Sequence, residues 1–243
     1  MDERLYEEFF ELEDRHWWFI ARRSIIGKWI RDELRLPPGS SVLDVGCGTG
    51  GILADLSSEY QTCGTDTSPK AIELAQRRGV ANVHCCTLAT FPFPDRRFDL
   101  ITLLDVIEHV DDDVGLLTSA LHLLRENGKI LVTVPAYQFL WSRHDDLNHH
   151  RRRYTLGGLR RTMKQAGLHV ERGTYFNTLL FLPALVQRLA SRFSNINQDS
   201  LLDLPSAPLN SFLKSVFRLE QYIIPSVSLP FGLSILAVVQ KEG

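Results

Sequence analysis

The sequence predicts an α/β fold: a mostly parallel sheet covered by helices, preceded by a helical segment and interrupted near its end by a second one. Three observations predict it. From Ser41 onward, apolar runs of strand length alternate with amphipathic helical patterns, as βα units do. The first run, Val42-Leu43-Asp44-Val45, leads into Gly46-Cys47-Gly48-Thr49-Gly50-Gly51, the pattern of a buried parallel strand feeding a tight turn and a helix. Finally, 243 residues suit one such domain with an appendage.

Taken in order, Leu5, Phe9, Leu12, His16, Trp17, Ile20, Ile26 and Ile30 recur at helical spacing, so residues 2–35 read as helix. Within it, His16-Trp17-Trp18-Phe19 with Arg22 and Arg23 cannot turn both indoles toward one core. The block reads either as a helix packed on the sheet with one ring half exposed or as a flap over a ligand. Pro37-Pro38-Gly39-Ser40 breaks the helix and sets residues 1–36 apart from the sheet.

Strand 41–46 then leads through the glycine turn to a helix at 50–59. Glycines there let the backbone approach a ligand closely, and the helix offers free N–H groups at its positive dipole end. The spacing of Gly46, Gly48 and Gly51, with Asp66 about twenty residues on, also satisfies a dinucleotide fingerprint. An NAD(P)-dependent oxidoreductase is therefore an alternative. Asp44 tilts the reading away from it: a pyrophosphate gains nothing from a carboxylate at the strand end, whereas an ammonium or sulfonium does.

Strand 61–66 places Asp66 where it can accept from ribose hydroxyls. Ser68 and Pro69 are good N-cap and first-turn residues for a helix at 69–78, which Gly79 stops. A short strand at 82–86 and a buried one at 98–104 follow. The latter runs into Asp105-Val106-Ile107-Glu108-His109-Val110, so Asp105, Glu108 and His109 fall at the mouth of the cleft beyond the strand ends. A helix at 112–126 with Gly128 as its C-cap signal and a strand at 129–134 complete five parallel strands.

The stretch from Trp141 to Tyr154 reads as a loop at the same sheet edge. A metal site from His144, Asp145 and His149 matches no open-coordination spacing, so no metal is expected. Arginines here suit bidentate anion binding, and a histidine can serve as a base. Thr155 caps a helix at 156–166, ended by Gly167, and a sixth strand follows at 168–175. Residues 233–239 form the seventh strand, which makes 176–228 an insertion. It holds two apolar-faced helical stretches around a polar, proline-bearing segment, Ser194 to Asn210, expected to be mobile.

Several of these stretches carry a family resemblance. Val42-Leu43-Asp44-Val45-Gly46-Cys47-Gly48-Thr49-Gly50 closely resembles the first motif of class I S-adenosylmethionine-dependent methyltransferases. Thr87 to Asp99 resembles the family's adenine-bordering loop, with threonine at Thr87 where the family commonly has an acid. Asp105 to Val110 resembles its fourth-strand motif with a Glu-His pair. Trp141-Ser142-Arg143-His144-Asp145 followed by His150-Arg151-Arg152-Arg153-Tyr154 resembles a bacterial, type 11-like subgroup.

The resemblance implies a Rossmann-like seven-stranded, mostly parallel sheet with an antiparallel last strand, an N-terminal helical flap (1–36) and a helical insertion (176–228) between strands six and seven. It implies S-adenosylmethionine as cofactor, with Asp44 toward its amino-acid end and Gly46, Cys47, Gly48 and Gly50 along its backbone channel. Asp66 and Thr67 would meet the ribose, Thr87 and Leu88 the adenine, and Asp105 the cleft wall. The expected reaction is methyl transfer to a small or lipid-like, anionic acceptor, with O-methylation favoured. Its main demands are alignment and exclusion of water. His144, His149 and His109, in that order, are the expected bases, with Tyr154 as a supporting donor and Trp18, Arg152 and Arg153 as acceptor contacts. A non-catalytic S-adenosylmethionine binder and a membrane-surface protein also fit these residues.

Composition narrows the partners. A net charge of −2 supplies no basic field for nucleic acid. Cys47, Cys63, Cys85 and Cys86 follow no zinc spacing and read as buried reduced thiols. The acidic N-terminus lacks an apolar signal core, and no uncharged apolar run reaches the roughly 20 residues of a membrane span. A cytoplasmic location is expected, with a peripheral membrane position the secondary reading. The insertion offers a lid, a homodimer interface or a membrane contact, in that order.

Overall fold

The computed structural model describes residues 3–193 and 204–242, excluding the side chains at 3, 4, 144 and 189–193. Most of the polar segment expected to be mobile, 194–203, lies outside the described residues.

Two helices open the chain, α1 (Glu3–Leu12) and α2 (Trp17–Lys28), the second continued by a wider turn at Trp29–Glu33. The single helix expected over 2–35 is thus broken at residues 13–16. His16 caps α2 by accepting from the Trp18 N–H at 3.3 Å. Strands β1 (Ser41–Val45), β2 (Gln61–Asp66), β3 (Val83–Cys85) and β4 (Phe98–Leu104) alternate with α3 (Gly51–Leu56) and α4 (Pro69–Arg77). Ser68 accepts from the Ala71 N–H at the start of α4, and Pro69 fills its first turn. Next come α5 (Asp113–His122), β5 (Leu124–Pro135), α6 (Arg143–Leu147), α7 (Leu156–Gln165) and β6 (Leu168–Phe176). The insertion supplies α8 (Phe181–Phe193) and α9 (Ala207–Ile223) before β7 (Ser234–Lys241).

Two local expectations are corrected. Gly128 does not cap α5, which ends at His122; it lies within β5. A Cβ there would stand 2.9 Å from the Phe98 carbonyl oxygen, so this glycine permits close approach of β5 to β4. The stretch 141–154 is not all loop, since α6 lies inside it.

The sheet has the order β3-β2-β1-β4-β5-β7-β6. All pairings are parallel except those of β7, which runs antiparallel to both β5 and β6. A dinucleotide fold with six parallel strands in the order 3-2-1-4-5-6 has no such inserted strand. Alternation along the strands divides the core by face. Leu43, Val45, Ile101, Leu103, Ile130 and Val132 pack with α5 and α7 residues on one side. Val42, Leu100, Leu131, Leu236 and Val238 pack on the other side with Ile25, Ile26, Trp29 and Ile30 and with Phe217 of α9.

The N-terminal helices and the insertion therefore share one face, and they touch. Trp17 meets Phe217 edge-on at 6.0 Å, and Ser24 Oγ donates to Gln221 Oε1 at 2.9 Å. Asn210 accepts from the Trp17 N–H and donates to the Arg15 carbonyl. Cys47 and Cys63 are buried, but Cys85 is exposed and Cys86 intermediate. No helix among the described residues is long and apolar enough to cross a membrane.

Candidate functional site

The carboxyl ends of β1, β2 and β4 open into a cleft of about 1160 Å³, roofed by α1, α2 and the inner faces of α8 and α9. Its floor is the glycine turn. Gly46 has φ +70°, and a Cβ there would lie 2.7 Å from a Val106 methyl, so no other residue fits without displacement. Gly48, at φ +53°, has open space where a Cβ would stand, which leaves the backbone bare toward the cleft.

Asp44 is 2 % exposed and accepts from Thr102 Oγ1 at 2.6 Å. Burial pushes its carboxyl up to about 7, although the Thr102 bond and the nearby Arg22 charge favour the anion. Asp66 accepts from the Gly48 and Ser68 N–H groups, each at 2.9 Å, which orients its carboxylate at the tip of β2. Burial raises its pKa as well, against those two bonds. Tyr6 of α1 stands beside Asp66, and burial next to that carboxylate raises its phenol to about 12. Thr67, Thr87 and Leu88 continue the wall. The Thr87 hydroxyl lies 3.2 Å from that of Thr90, and Thr90 Oγ1 accepts from the Thr87 N–H across a short turn at Leu88–Thr90.

Asp105 follows β4 with φ +60°, a left-handed conformation uncommon for a non-glycine residue and concentrated at functional sites. Arg22 reaches down from α2 to hold it, with Nη2 2.7 Å from Asp105 Oδ2 and 3.0 Å from Thr133 Oγ1. Both tryptophans line the cleft and pack against the core, Trp17 edge-on to Phe217 and Trp18 with the Arg22 guanidinium 5.3 Å from its ring.

Beyond Asp105 lies the other end of the cleft. Here the lining includes Glu108, His109, Trp141, Ser142, Asn148, His150 and Arg153, together with Leu180 just before α8 and Pro183, Ala184, Gln187 and Arg188 on it. Glu108 is fully buried, and neither carboxylate oxygen has a hydrogen-bond partner among the described residues. Burial raises its pKa well above the usual range, with the Asp105 charge adding to the effect. Burial lowers His109 to about 4, helped by the neighbouring His150, so its imidazole is neutral. The two rings stand edge to face, 4.6 Å apart.

Asp145 organises this end. It accepts from His150 Nδ1 at 2.8 Å, from Arg153 through Nε at 2.7 Å and Nη2 at 3.0 Å, and from the Ser142 N–H at 2.8 Å. Burial alone would raise this carboxyl, but the bonds from His150 and Arg153 outweigh it and hold the pKa well below the carboxylate range.

The structure does not gather every expected site residue. Tyr154 is buried with its hydroxyl donating to Asp113 at 2.7 Å, away from the cleft. Arg152 is engaged by Asp113 and by the Val110 and Asp111 carbonyls. Arg153 borders the cleft but is committed to Asp145 and the Ala136 carbonyl. That pair therefore does not supply an open anion site. His149 is exposed at φ +56° and does not line the cleft. His144 sits on α6, and its side chain lies outside the described residues. Of the three expected bases, the structure brings His109 into the cleft. With it come His150, Glu108, Arg22 and Tyr6, to which the sequence assigns no role in catalysis or binding. A helical spacing that puts Arg22 one turn from Trp18 is the available signal for one of them.

A family model described as "Methyltransferase domain" matches residues 18–172, more than half of the chain. Phosphoethanolamine N-methyltransferase 1 of Zea mays is 36% identical over 111 residues, covering 42% of this chain and 22% of that protein. The ubiquinone biosynthesis O-methyltransferase of Coxiella burnetii is 31% identical over 110 residues, covering 42% and 46%. The chain thus spans less than half the length of these curated relatives. Among solved structures, a chain of the complex between the Haloferax volcanii Trm112 methyltransferase activator and a methyltransferase superposes with a TM-score of 0.63. It is 19% identical, and 99% of this chain and 95% of that one are covered.

Proposed function

The chain belongs to the methyltransferase-domain family of the class I, S-adenosylmethionine-dependent kind, and on that premise we propose that it methylates a small or lipid-like acceptor with an apolar body and one polar, nucleophilic head. The observation that carries this is the two-ended cleft. One end has Asp44, the bare glycine turn and Asp66; the other has a buried polar cluster, with Leu180 and the α8 residues Pro183, Ala184, Gln187 and Arg188 also on the lining. A volume of about 1160 Å³ exceeds what one ligand of ordinary size fills, so cofactor and acceptor fit together.

In this reading the Asp44 carboxylate faces the cofactor's ammonium, the Gly46–Gly48 backbone lies against its chain, and Asp66 accepts from the ribose hydroxyls. Thr87 and Leu88 border the adenine, and Asp105, fixed by Arg22, shapes the wall between the two ends. The sulfonium is already activated, so the protein's task is to hold the acceptor in line with the methyl and exclude water. Helices α1, α2 and α8 provide that exclusion. Deprotonating or polarising the acceptor falls to Glu108, His109 and His150, which favours a hydroxyl acceptor.

The test is transfer of label from methyl-labelled S-adenosylmethionine to a panel of amphiphilic phenols, alcohols and amines. The proposal expects turnover with hydroxyl acceptors of apolar body. Replacing His109 with Ala should reduce kcat by about 10²-fold or more. Turnover confined to water-soluble amines, undiminished in that variant, would contradict it.

A further inference from the structure

We infer that Glu108, His109 and His150 form a binding site for one divalent transition-metal ion at the acceptor end of the cleft. One ligand atom from each of the three residues can be chosen so that all lie within 4.8 Å of one another, and all three residues line the cleft. A single ion can bridge that triangle.

The independent observation is Glu108 itself. A fully buried carboxylate with both oxygens unpartnered is costly, and such a group in a native fold calls for an ion or water that completes it. The adjacent guanidiniums do not complete it. Arg22 is held by Asp105 and Thr133, and Arg153 by Asp145 and the Ala136 carbonyl.

The surroundings of the two histidines are those of metal ligands. Asp145 accepts from His150 Nδ1 and is itself clamped by Arg153 and Ser142, which fixes the ring. His109 is hydrogen-bonded to the Asn148 backbone. Outer-shell carboxylate and carbonyl partners of this kind orient ligating imidazoles and raise their basicity. One carboxylate and two imidazoles suit zinc, cobalt(II) or iron(II), not magnesium or calcium. Three protein ligands leave coordination positions open toward the cleft, where an acceptor oxygen would be held.

The purpose of the site rests on the methyltransferase reading, but ion binding needs neither cofactor nor acceptor. The experiment is therefore a titration of the chelator-stripped full chain with cobalt(II), followed by its visible d–d absorption and reversed by zinc. The expected result is one ion per chain, with affinity lowered at least about tenfold in Glu108→Gln, His109→Gln and His150→Gln. Circular dichroism checks each variant's fold. If His150→Gln, which strips Asp145 of a partner, does not fold, the wild type and His109→Gln decide the matter. A wild type with no cobalt spectrum, or unchanged affinity in the folded variants, overturns the site. S-adenosylmethionine is titrated into the same preparations: cofactor binding without cobalt binding overturns the metal site alone.

Discussion

Two glutamates, Glu220 and Glu108, are equally inaccessible and differ in what meets their carboxyl groups. Glu220, on α9, accepts from the backbone N–H groups of Asn177 at 2.5 Å, Thr178 at 2.7 Å and Leu179 at 2.9 Å. Glu108, at the acceptor end of the cleft, has no hydrogen-bond partner among the described residues. Burial raises the pKa of both; three backbone donors push back at Glu220, and the Arg22 and Arg153 charges push back at Glu108. The first carboxylate ties the root of the insertion to the end of β6 and is explained by the fold. The second is not, and it lies where the ligands belong. A buried carboxyl group that the fold satisfies marks architecture, and one it leaves unsatisfied marks the site.

The contrast is easiest to abolish at Glu220. Its replacement by alanine leaves three backbone donors at the root of α8 without an acceptor, and unfolding in urea should show a loss of about 3–5 kcal/mol. Burial favours the protonated acid at Glu108, so the matching change there, to glutamine in the presence of chelator, exchanges one unpartnered neutral group for another. It should change stability by no more than about 1 kcal/mol. Equal losses at the two positions would erase the distinction.

A smaller effect belongs to the cofactor end. Asp44 titrates near 7 in the folded chain, above the ordinary 3.8. The folded state therefore binds the extra proton, and stability contributed by Asp44 falls as pH rises from about 4 to about 7. A cationic ligand head favours the anion, so the cofactor must displace that proton below pH 7. S-adenosylmethionine affinity should fall by up to about tenfold per pH unit below 7. In Asp44→Asn that slope should flatten, with affinity at pH 8 about tenfold weaker than wild type. Calorimetry in buffers of different ionisation enthalpy reads the proton directly, and a pH-independent wild type would refute the assignment.

What was legible in the sequence was local. The βα alternation, the glycine turn, the Ser68 and Thr155 caps and the helix stops at Gly79 and Gly167 each follow from neighbours within a few residues. The break at residues 13–16 contains no proline or glycine. It is set from afar, by Thr49 and Arg78 binding Glu13 and by Arg23 and Arg78 binding Asp14. The orientations within His149 to Tyr154 were not legible for a related reason. Spacing in an irregular segment does not say which way a side chain turns, and Asp145 and Asp113 decide which of these residues are already engaged. Glu108 was visible as part of a motif, but its isolation depends on where Arg22 and Arg153 find partners, and that is tertiary information.

The most direct test of the cofactor site is calorimetric titration of the full chain with S-adenosylmethionine and, separately, NADH, repeated on Asp66→Ala. The adenosyl ligand alone should bind, one per chain. Loss of the Asp66 carboxylate, which orients the glycine turn through Gly48, should weaken that binding by at least about tenfold. Binding of NADH instead, or S-adenosylmethionine binding untouched by the substitution, would contradict the assignment.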